Sequence, residues 1–192
     1  MRHILLCAAA LACATAVAFA SLADPAAAPA GERRTASNEL SAAAAVRLIE
    51  RYRKETWRWE KLMRRKRTPS RYTAQQSPDP AYRAWMLRLW KQRALRARRQ
   101  AHKPPRRSAW LCIYLHERHP SMGWRTRTGN GFYGGLQMDI SFQRYYAPEL
   151  LRRKGTADRW SAIEQIWVAE RAYRSGRGFY PWPNTARSCG LI

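Results

Sequence analysis

Apolar residues recur at helical spacing in two segments of the first half of the chain, with arginine and lysine between them. The first segment starts near residue 38 and stops near Pro69, and the second starts at Pro80 and stops near Gln100. A period of 3.6 residues predicts two amphipathic helices, and Pro104 and Pro105 end the segment because proline cannot continue a helix. The residues that carry the pattern are Val46, Ile49, Tyr52, Trp59 and Met63, then Tyr82, Met86, Leu89 and Trp90.

The second half carries two more helical patterns. Ser108 is a suitable N-cap, and a helix from there would place one stripe of side chains on a single face. A closing helix is predicted over residues 159–174, whose apolar positions are expected to pack in the core. The first stripe is formed by Trp110, Ile113, Tyr114 and Glu117, and the closing helix by Trp160, Ile163, Ile166 and Trp167.

Between these two helices, residues 128–139 contain four glycines within seven positions. Such a string indicates backbone that needs unusual dihedral angles or close approach. It lacks the Gly-Lys-Ser/Thr of a phosphate-binding loop, so a β-hairpin or glycine-rich loop is the better interpretation. The predicted fold is therefore mainly α, with a small β-hairpin or glycine-rich loop. Asn130 and Gln137 could bind sugar hydroxyl and acetamido groups, or could only satisfy the local turn.

The N-terminus has the pattern of a secretory signal peptide. Arg2 and His3 precede an apolar run, and small residues near Ala20 offer a cleavage site. A membrane anchor is the alternative, but the run is shorter than the roughly 20 residues that span a bilayer. We therefore predict a signal peptide over residues 1–20, a flexible tether over 21–37, a basic helical segment over 38–107 and a compact domain over 108–192. The mature protein is expected to be extracellular, secreted or associated with the cell wall.

Export changes how the cysteines are interpreted. Of the four cysteines, Cys7 and Cys13 lie in the predicted signal peptide, which leaves Cys112 and Cys189. A pair in an exported chain indicates one disulfide, because oxidising compartments preserve such bonds. Two free buried thiols are the alternative.

The chain is strongly basic, with a formal net charge of +23. Such a charge implies an anionic partner, and export makes nucleic acid the least suitable one. Most of the excess falls in the helical segment 38–107 rather than in the domain that follows it. Those helices could adhere to anionic cell-wall polymers or lipid headgroups, or could form a solvated hairpin that spaces or caps the domain.

Glu117 is the residue with the clearest chemical potential. It ends a stripe of apolar and aromatic side chains, whereas a surface glutamate would more often occupy the opposite face. Desolvation against aromatic rings disfavours the charged form of a carboxyl, and a carboxyl that keeps its proton can act as a general acid. A glutamate at the solvent edge of the stripe is the alternative on spacing alone.

The C-terminal residues 108–192 resemble the transglycosylase-like domain of resuscitation-promoting factors. The similarity lies in Trp110-x-Cys112, Glu117, Trp124, the string Gly129-Asn130-Gly131-Phe132-Tyr133-Gly134-Gly135-Leu136-Gln137, and Trp182-Pro183 before Cys189. This resemblance implies a small lysozyme-like fold, action on peptidoglycan, and catalysis by Glu117. Substrate-binding residues are then expected at Trp124, Asn130, Tyr133, Gln137 and Asp139. The chain departs from the family in having Cys112 five residues before the glutamate, and Arg118 directly after it.

The resemblance favours a lytic transglycosylase that acts with one glutamate, while hydrolysis assisted by Asp139 is the near alternative. Glycosidases usually use two carboxylates, and Asp139 is the other early candidate. No cofactor and no metal are predicted, because His116 and His119 lack a convincing third ligand. We expect a monomer that binds peptidoglycan, and no nucleic acid. The alternatives from other classes are a non-catalytic wall-binding protein and a cationic membrane-active protein.

Overall fold

The computed structural model describes residues 41–71 and 75–192, which are mostly helical. The predicted signal peptide and tether lie outside these described residues. Within the described ranges, no helix combines the length and the apolar character that crossing a membrane requires.

Seven helices and one short hairpin make up the main elements of the described chain. The two strands pair antiparallel, with Phe132 opposite Asp139 and Tyr133 opposite Met138. The prediction of a mainly helical fold with a small β-hairpin is therefore confirmed. In chain order the elements are α1 (Ala42–Leu62), α2 (Pro80–Ala101), α3 (Arg107–Glu117), β1 (Phe132–Tyr133), β2 (Met138–Asp139), α4 (Ile140–Tyr146), α5 (Pro148–Lys154), α6 (Ala162–Ala172) and α7 (Pro183–Ser188).

Helix α1 ends earlier than its apolar pattern predicts. The pattern extends toward Pro69, but the helix stops at Leu62. The reason is a backbone closure in which the Arg64 amide donates to the Lys61 carbonyl (3.1 Å) and the Arg65 amide to the Glu60 carbonyl (2.8 Å). This pair of backbone hydrogen bonds requires a residue in the left-handed conformation after the helix. Arg64 adopts that conformation, with φ of 52°.

Helices α1 and α2 form a hairpin that packs on the C-terminal helices within one compact unit. Trp59 and Met63 of the hairpin share a buried apolar cluster with Trp167 of α6. The Trp167 indole N–H donates to the Ala101 carbonyl at 2.7 Å, and Arg171 donates to the Leu62 carbonyl at 3.0 Å. The basic helices therefore cap the C-terminal region rather than standing apart from it as a spacer.

A second core surrounds Trp110, whose side chain is fully buried. Its indole ring contacts the rings of Phe179 and Trp182, with centroid separations of 5.0 and 5.3 Å. Trp160 and Ile166 belong to this core, whereas Trp167 belongs to the hairpin cluster. The predicted closing helix therefore packs on both sides. It begins at Ala162 rather than at residue 159, because Ser161 and Glu164 form a reciprocal capping box there.

Glu170 of α6 is a fully buried carboxylate that holds the start of α3. It accepts hydrogen bonds from the Trp110 indole at 2.7 Å and from two nitrogens of Arg106 at 3.1 and 2.6 Å. The predicted N-cap at Ser108 is wrong, because α3 begins at Arg107, directly after Arg106. Arg106 takes a left-handed conformation with φ of 55° while its side chain reaches Glu170.

We predict that Glu170→Gln lowers the free energy of unfolding by about 2–3 kcal/mol, because the buried carboxylate accepts hydrogen bonds from Arg106 and hydrogen bonds to charged groups contribute about 1.5–3 kcal/mol. Urea denaturation followed by tryptophan fluorescence measures the loss. Glu149→Gln is the control, since it breaks the exposed pair with Lys61 and is expected to cost at most about 1 kcal/mol. Equal losses in the two variants would contradict the central role of Glu170.

Glu164 makes the fold sensitive to acid. Burial of this carboxyl favours its neutral form, but hydrogen bonds from Lys154 and Ser161 outweigh burial and lower the pKa of Glu164 below its usual 4.5. A lowered pKa contributes stability that is present above the unfolded value and is lost as pH falls through the folded value. We therefore expect the urea concentration at the midpoint of unfolding to decrease as the pH drops below 4.5, and to decrease less in Glu164→Gln. An identical acid dependence in both proteins would contradict this assignment.

Candidate active site around Glu117

Glu117 lies at the C-terminal end of α3, on the face that packs into the domain. Trp110 and Ile113 on this face are fully buried, while Glu117 itself is half-buried. The hydroxyl of Thr185 donates a hydrogen bond to Glu117 Oε1. Among the residues that the structure describes, Glu117 forms no salt bridge. The carboxyl is therefore fixed by a neutral donor and partly withdrawn from solvent, as a proton-transferring group requires.

Thr185 reaches Glu117 because α7 lies against α3. A disulfide joins Cys112 to Cys189, as the sequence predicts, and connects the two helices. Cys112 precedes Glu117 by five residues and Cys189 follows Thr185 by four, so the hydrogen bond forms about one helical turn from the disulfide. Ala186, which directly follows Thr185, is fully buried in the core. The disulfide and the packing of α7 thus position the hydroxyl at the carboxyl.

Trp124 stacks face to face on Tyr114, with ring centroids 4.0 Å apart and an interplanar angle of 6°. Gly135 supports this pair from the hairpin turn, because a Cβ atom there would lie 2.6 Å from the Tyr114 ring. The side-chain amide of Gln165 donates to the Trp124 carbonyl at 2.8 Å. The aromatic pair is therefore held between α3, the hairpin turn and α6, one helical turn before Glu117.

The glycine string forms the hairpin and its four-residue turn. Gly134 has φ of 78°, and a Cβ atom there would lie 2.5 Å from Gln165 Oε1. Gln137 also has positive φ, and its side-chain amide donates a hydrogen bond to the Gly134 carbonyl at 2.8 Å. Asn130 Oδ1 accepts the Phe132 amide at 3.1 Å. The side chains of Asn130 and Gln137 therefore bond the local backbone, and a further role in binding sugar stays a prediction.

Asp139 is exposed and caps the N-terminus of α4. Its Oδ1 accepts the Phe142 amide at 2.7 Å. This hydrogen bond gives the side chain a structural role and occupies one of its two oxygens. The other oxygen is available to a ligand, so a part for Asp139 in the chemistry stays a prediction.

An open groove of about 560 Å³ runs beside the β-hairpin that β1 and β2 form. It combines exposed aromatic rings with polar groups, as surfaces that bind sugars require. Phe132 and Tyr145 are 43% and 75% exposed. The groove is lined by Phe132, Gln137, Met138, Asp139, Ser141, Phe142, Tyr145, Tyr146, Ser175, Arg177, Pro181 and Trp182.

Helix α7 relates this groove to Glu117. Trp182, which lines the groove, immediately precedes α7, and its indole donates to the Leu136 carbonyl at 2.6 Å. Thr185, the partner of Glu117, follows three residues later, in the first turn of α7. The carboxyl thus contacts the helix that begins at one wall of the groove.

The structure places the predicted site residues in different surroundings, and neither Glu117 nor Trp124 is among the residues that line the groove. Gln137 and Asp139 line the groove, and Trp124 stacks beside the helix of Glu117. Tyr133 is half-buried against the core, and Asn130 is exposed; neither lines the groove. The predicted substrate contacts of these residues stay predictions.

Several residues of this region were missed by sequence reasoning. Thr185 bonds the carboxyl, Gln165 holds the aromatic pair, and Tyr145 and Arg177 line the groove. The cysteine spacing contained a signal for Thr185, since a disulfide between two helices places residues one turn from each sulfur near one another. For Gln165, Tyr145 and Arg177 we find no comparable signal.

Cys112, His116 and Cys189 bring atoms of the metal-ligand type within 4.8 Å of one another. The two sulfurs are bonded to each other, and a metal needs thiolates, so this cluster could hold an ion only after reduction.

Residues 114–185 match the family described as transglycosylase-like domain. The matched region contains Glu117, the hairpin, α4 to α6 and Thr185, and accounts for the C-terminal part of the chain. No curated protein and no solved structure matches the chain. The C-terminal region is therefore a transglycosylase-like domain, which implies peptidoglycan as substrate.

We predict that Gly135→Ala disturbs the aromatic pair, because the new Cβ would overlap the Tyr114 ring and overpacking costs about 1–3 kcal/mol. Near-ultraviolet circular dichroism reports the stacking directly. Gly131→Ala is the control, since its Cβ would meet open space and only its positive φ opposes the change. An altered aromatic spectrum is expected in Gly135→Ala alone, and an unaltered spectrum there would contradict the proposed support of the pair.

Proposed function

We propose that the protein is a secreted enzyme that cleaves the MurNAc–GlcNAc glycosidic bond of peptidoglycan as a lytic transglycosylase, with Glu117 as its single catalytic acid and base. The observation that carries this proposal is the half-buried Glu117 carboxyl, bonded to Thr185 inside a transglycosylase-like domain. The disulfide supports an extracellular location, because such bonds persist in oxidising compartments.

The reaction needs one group that first gives and then takes a proton. Glu117 donates its proton to the glycosidic oxygen as the bond from that oxygen to C1 of the muramyl residue breaks. The carboxylate then accepts the proton of the muramyl 6-hydroxyl, whose oxygen bonds to C1 and closes a 1,6-anhydro ring. The glutamate returns to its protonated form, and no water is consumed.

Thr185 is proposed as a positioning residue for this proton transfer. Its hydroxyl donates to Oε1 of Glu117, so Oε1 is an acceptor and the transferable proton belongs on Oε2. A hydrogen bond that fixes the carboxyl also restricts its rotation, which keeps Oε2 aimed at the reacting oxygen.

The groove is proposed to hold the glycan strand. Phe132 and Tyr145 offer exposed ring faces for stacking on sugars, and the Gln137 amide and the Arg177 guanidinium offer hydrogen-bond donors. Arg177 also carries a positive charge suited to the carboxylates of peptidoglycan stem peptides.

Hydrolysis is the alternative that one observation favours. Asp139 is an exposed carboxylate lining the same groove, with one oxygen not used by its capping bond. A second carboxylate could activate water, as in muramidases that use a pair of acids. The single-glutamate route is preferred because Asp139 already serves α4.

The basic hairpin is proposed to increase the affinity of the enzyme for the wall. Its charge would attract anionic wall polymers, while the hairpin itself stays packed on α6. That the protein acts as a monomer stays a prediction.

The decisive experiment is an analysis of the products released from insoluble peptidoglycan. We expect the purified protein to release anhydro-muramyl products and the Glu117→Gln variant to release none. Circular dichroism is the control that both proteins are folded. Reducing-end products that disappear in Asp139→Asn would instead establish hydrolysis. Binding to the wall without release by either protein would contradict the enzyme and favour a wall-binding module.

Thr185→Val tests the positioning role. Loss of a hydrogen bond to a charged group is expected to lower kcat about tenfold or more, with a smaller effect on KM. Thr185→Ser keeps the hydroxyl and should restore most of the rate, because only the methyl group is lost. Equal rates in the valine and serine variants would show that the hydroxyl does not act on Glu117.

A further inference from the structure

A second groove, of about 430 Å³, lies between the end of α1 and the start of the α5–α6 region. It is separate from the groove beside the hairpin strands, with which it shares Tyr146 alone among its lining residues. Both the basic hairpin and the transglycosylase-like domain contribute walls. The walls are formed by Arg58, Lys61, Leu62, Arg64, Tyr146, Ala147, Pro148, Glu149, Leu150, Arg152, Arg153, Glu164 and Arg171.

Cations outnumber anions in this groove. Six lining residues are basic and two are acidic. Both carboxylates already have a cation, since Glu149 pairs with Lys61 and Glu164 accepts two bonds of 2.7 Å from Lys154. Within the part of the chain that the structure describes, the five arginines of the groove form no salt bridge. The groove therefore presents an excess of positive charge.

Arg171 is the most enclosed of these cations. Its two terminal nitrogens donate to the carbonyls of Tyr146 at 2.8 Å and Leu62 at 3.0 Å, while its Nε–H is buried without an acceptor. Burial, followed by repulsion from Arg64, lowers the pKa of Arg171 to about 10. The guanidinium still carries its charge at neutral pH, and attraction from Glu149 offsets only part of the cost of burying that charge.

Arg64 occupies a backbone position that favours glycine. It is the left-handed residue that follows α1, with φ of 52°, a conformation that is unfavourable for L residues other than Asn and Asp. The arginine adds a cation to a groove already rich in cations, close enough to Arg171 to affect its pKa. Neither local backbone preference nor charge balance within the protein accounts for it.

We infer that this groove binds phosphodiester groups of an anionic wall polymer built from polyols joined by phosphates. Guanidinium groups bind phosphate through two parallel hydrogen bonds, which makes arginine the suitable residue for the task. A polymer fits better than a membrane, because the apolar residues of the groove, such as Leu62 and Leu150, are buried and have no surface to insert into lipid. The choice of a wall polymer rests on the proposed function, whereas a site for phosphodiester groups does not.

Arg64→Gly is the variant that separates binding from folding. It removes one cation from the groove and places glycine where the backbone prefers it, so the variant should unfold at the same or a higher temperature. The matched control is Arg88→Gln, which removes one charge from an exposed position of α2 outside this groove. Both variants have the same net charge, and any difference between them must come from location.

The probe is a synthetic tetramer of glycerol phosphate, measured against the purified full chain by isothermal titration calorimetry. Since hydrogen bonds to charged groups contribute about 1.5–3 kcal/mol, we expect Arg64→Gly to raise the Kd about tenfold. Arg88→Gln should change it less than twofold. Equal weakening in both variants would indicate diffuse charge attraction and would overturn the site.

Two further probes test the source of the phosphate. Inorganic phosphate that binds as tightly as the tetramer, with the same sensitivity to Arg64→Gly, would overturn the polymer as ligand. If binding to vesicles that contain phosphatidylglycerol is weakened by Arg64→Gly and binding to the tetramer is not, the groove would be assigned to membranes instead. Because none of these measurements uses cleavage, inactive protein that still binds the tetramer would contradict only the proposed enzyme.

Discussion

The buried carboxylate of Glu170 is the constraint on which the domain depends. It is fully enclosed, and it accepts bonds from Trp110 and Arg106 at the start of α3. Those bonds hold Trp110 at the centre of an aromatic core with Phe179 and Trp182. The core in turn places α7, and α7 brings Thr185 to the other end of α3. The two glutamates thus differ: Glu170 is paired with Arg106 and fixes the fold, whereas Glu117, which forms no salt bridge among the described residues, is the proposed catalytic acid.

Helix α6 explains why the hairpin of helices α1 and α2 and the C-terminal transglycosylase-like domain form one compact unit. Its residues from Glu164 to Glu170 are all buried, which is typical of a helix surrounded by packing on every side. One side meets the Trp110 core, and Trp167 on another side meets the hairpin. Removing the hairpin would expose Trp167 and leave its indole N–H without the Ala101 carbonyl as acceptor. The hairpin is therefore a structural part of the domain as well as a source of charge.

Local patterns predicted the elements, while long-range contacts escaped them. The stripe ending at Glu117 and the glycine string give clear periodicity or composition, so α3 and the hairpin could be predicted. The cysteine pair could be predicted because export leaves two. The N-cap at Ser108 failed because a distant partner, Glu170, sets where α3 begins. Glu170 could not be singled out, because hydrophobic periodicity indicates one buried face of a helix and gives no information about a second packing partner on another face.

The groove between hairpin and domain links affinity for the wall to the docking of the hairpin. Arg64 belongs to the hairpin and Arg171 to α6, and at present their like charges oppose the contact. An anion bound between them would convert that repulsion into two attractions. A ligand that binds the docked arrangement more tightly than the undocked one must stabilise docking by the same free energy. Contact with an anionic polymer would therefore tighten the packing around α6, the helix that also carries Glu170 of the core and Gln165, which bonds the Trp124 carbonyl beside α3.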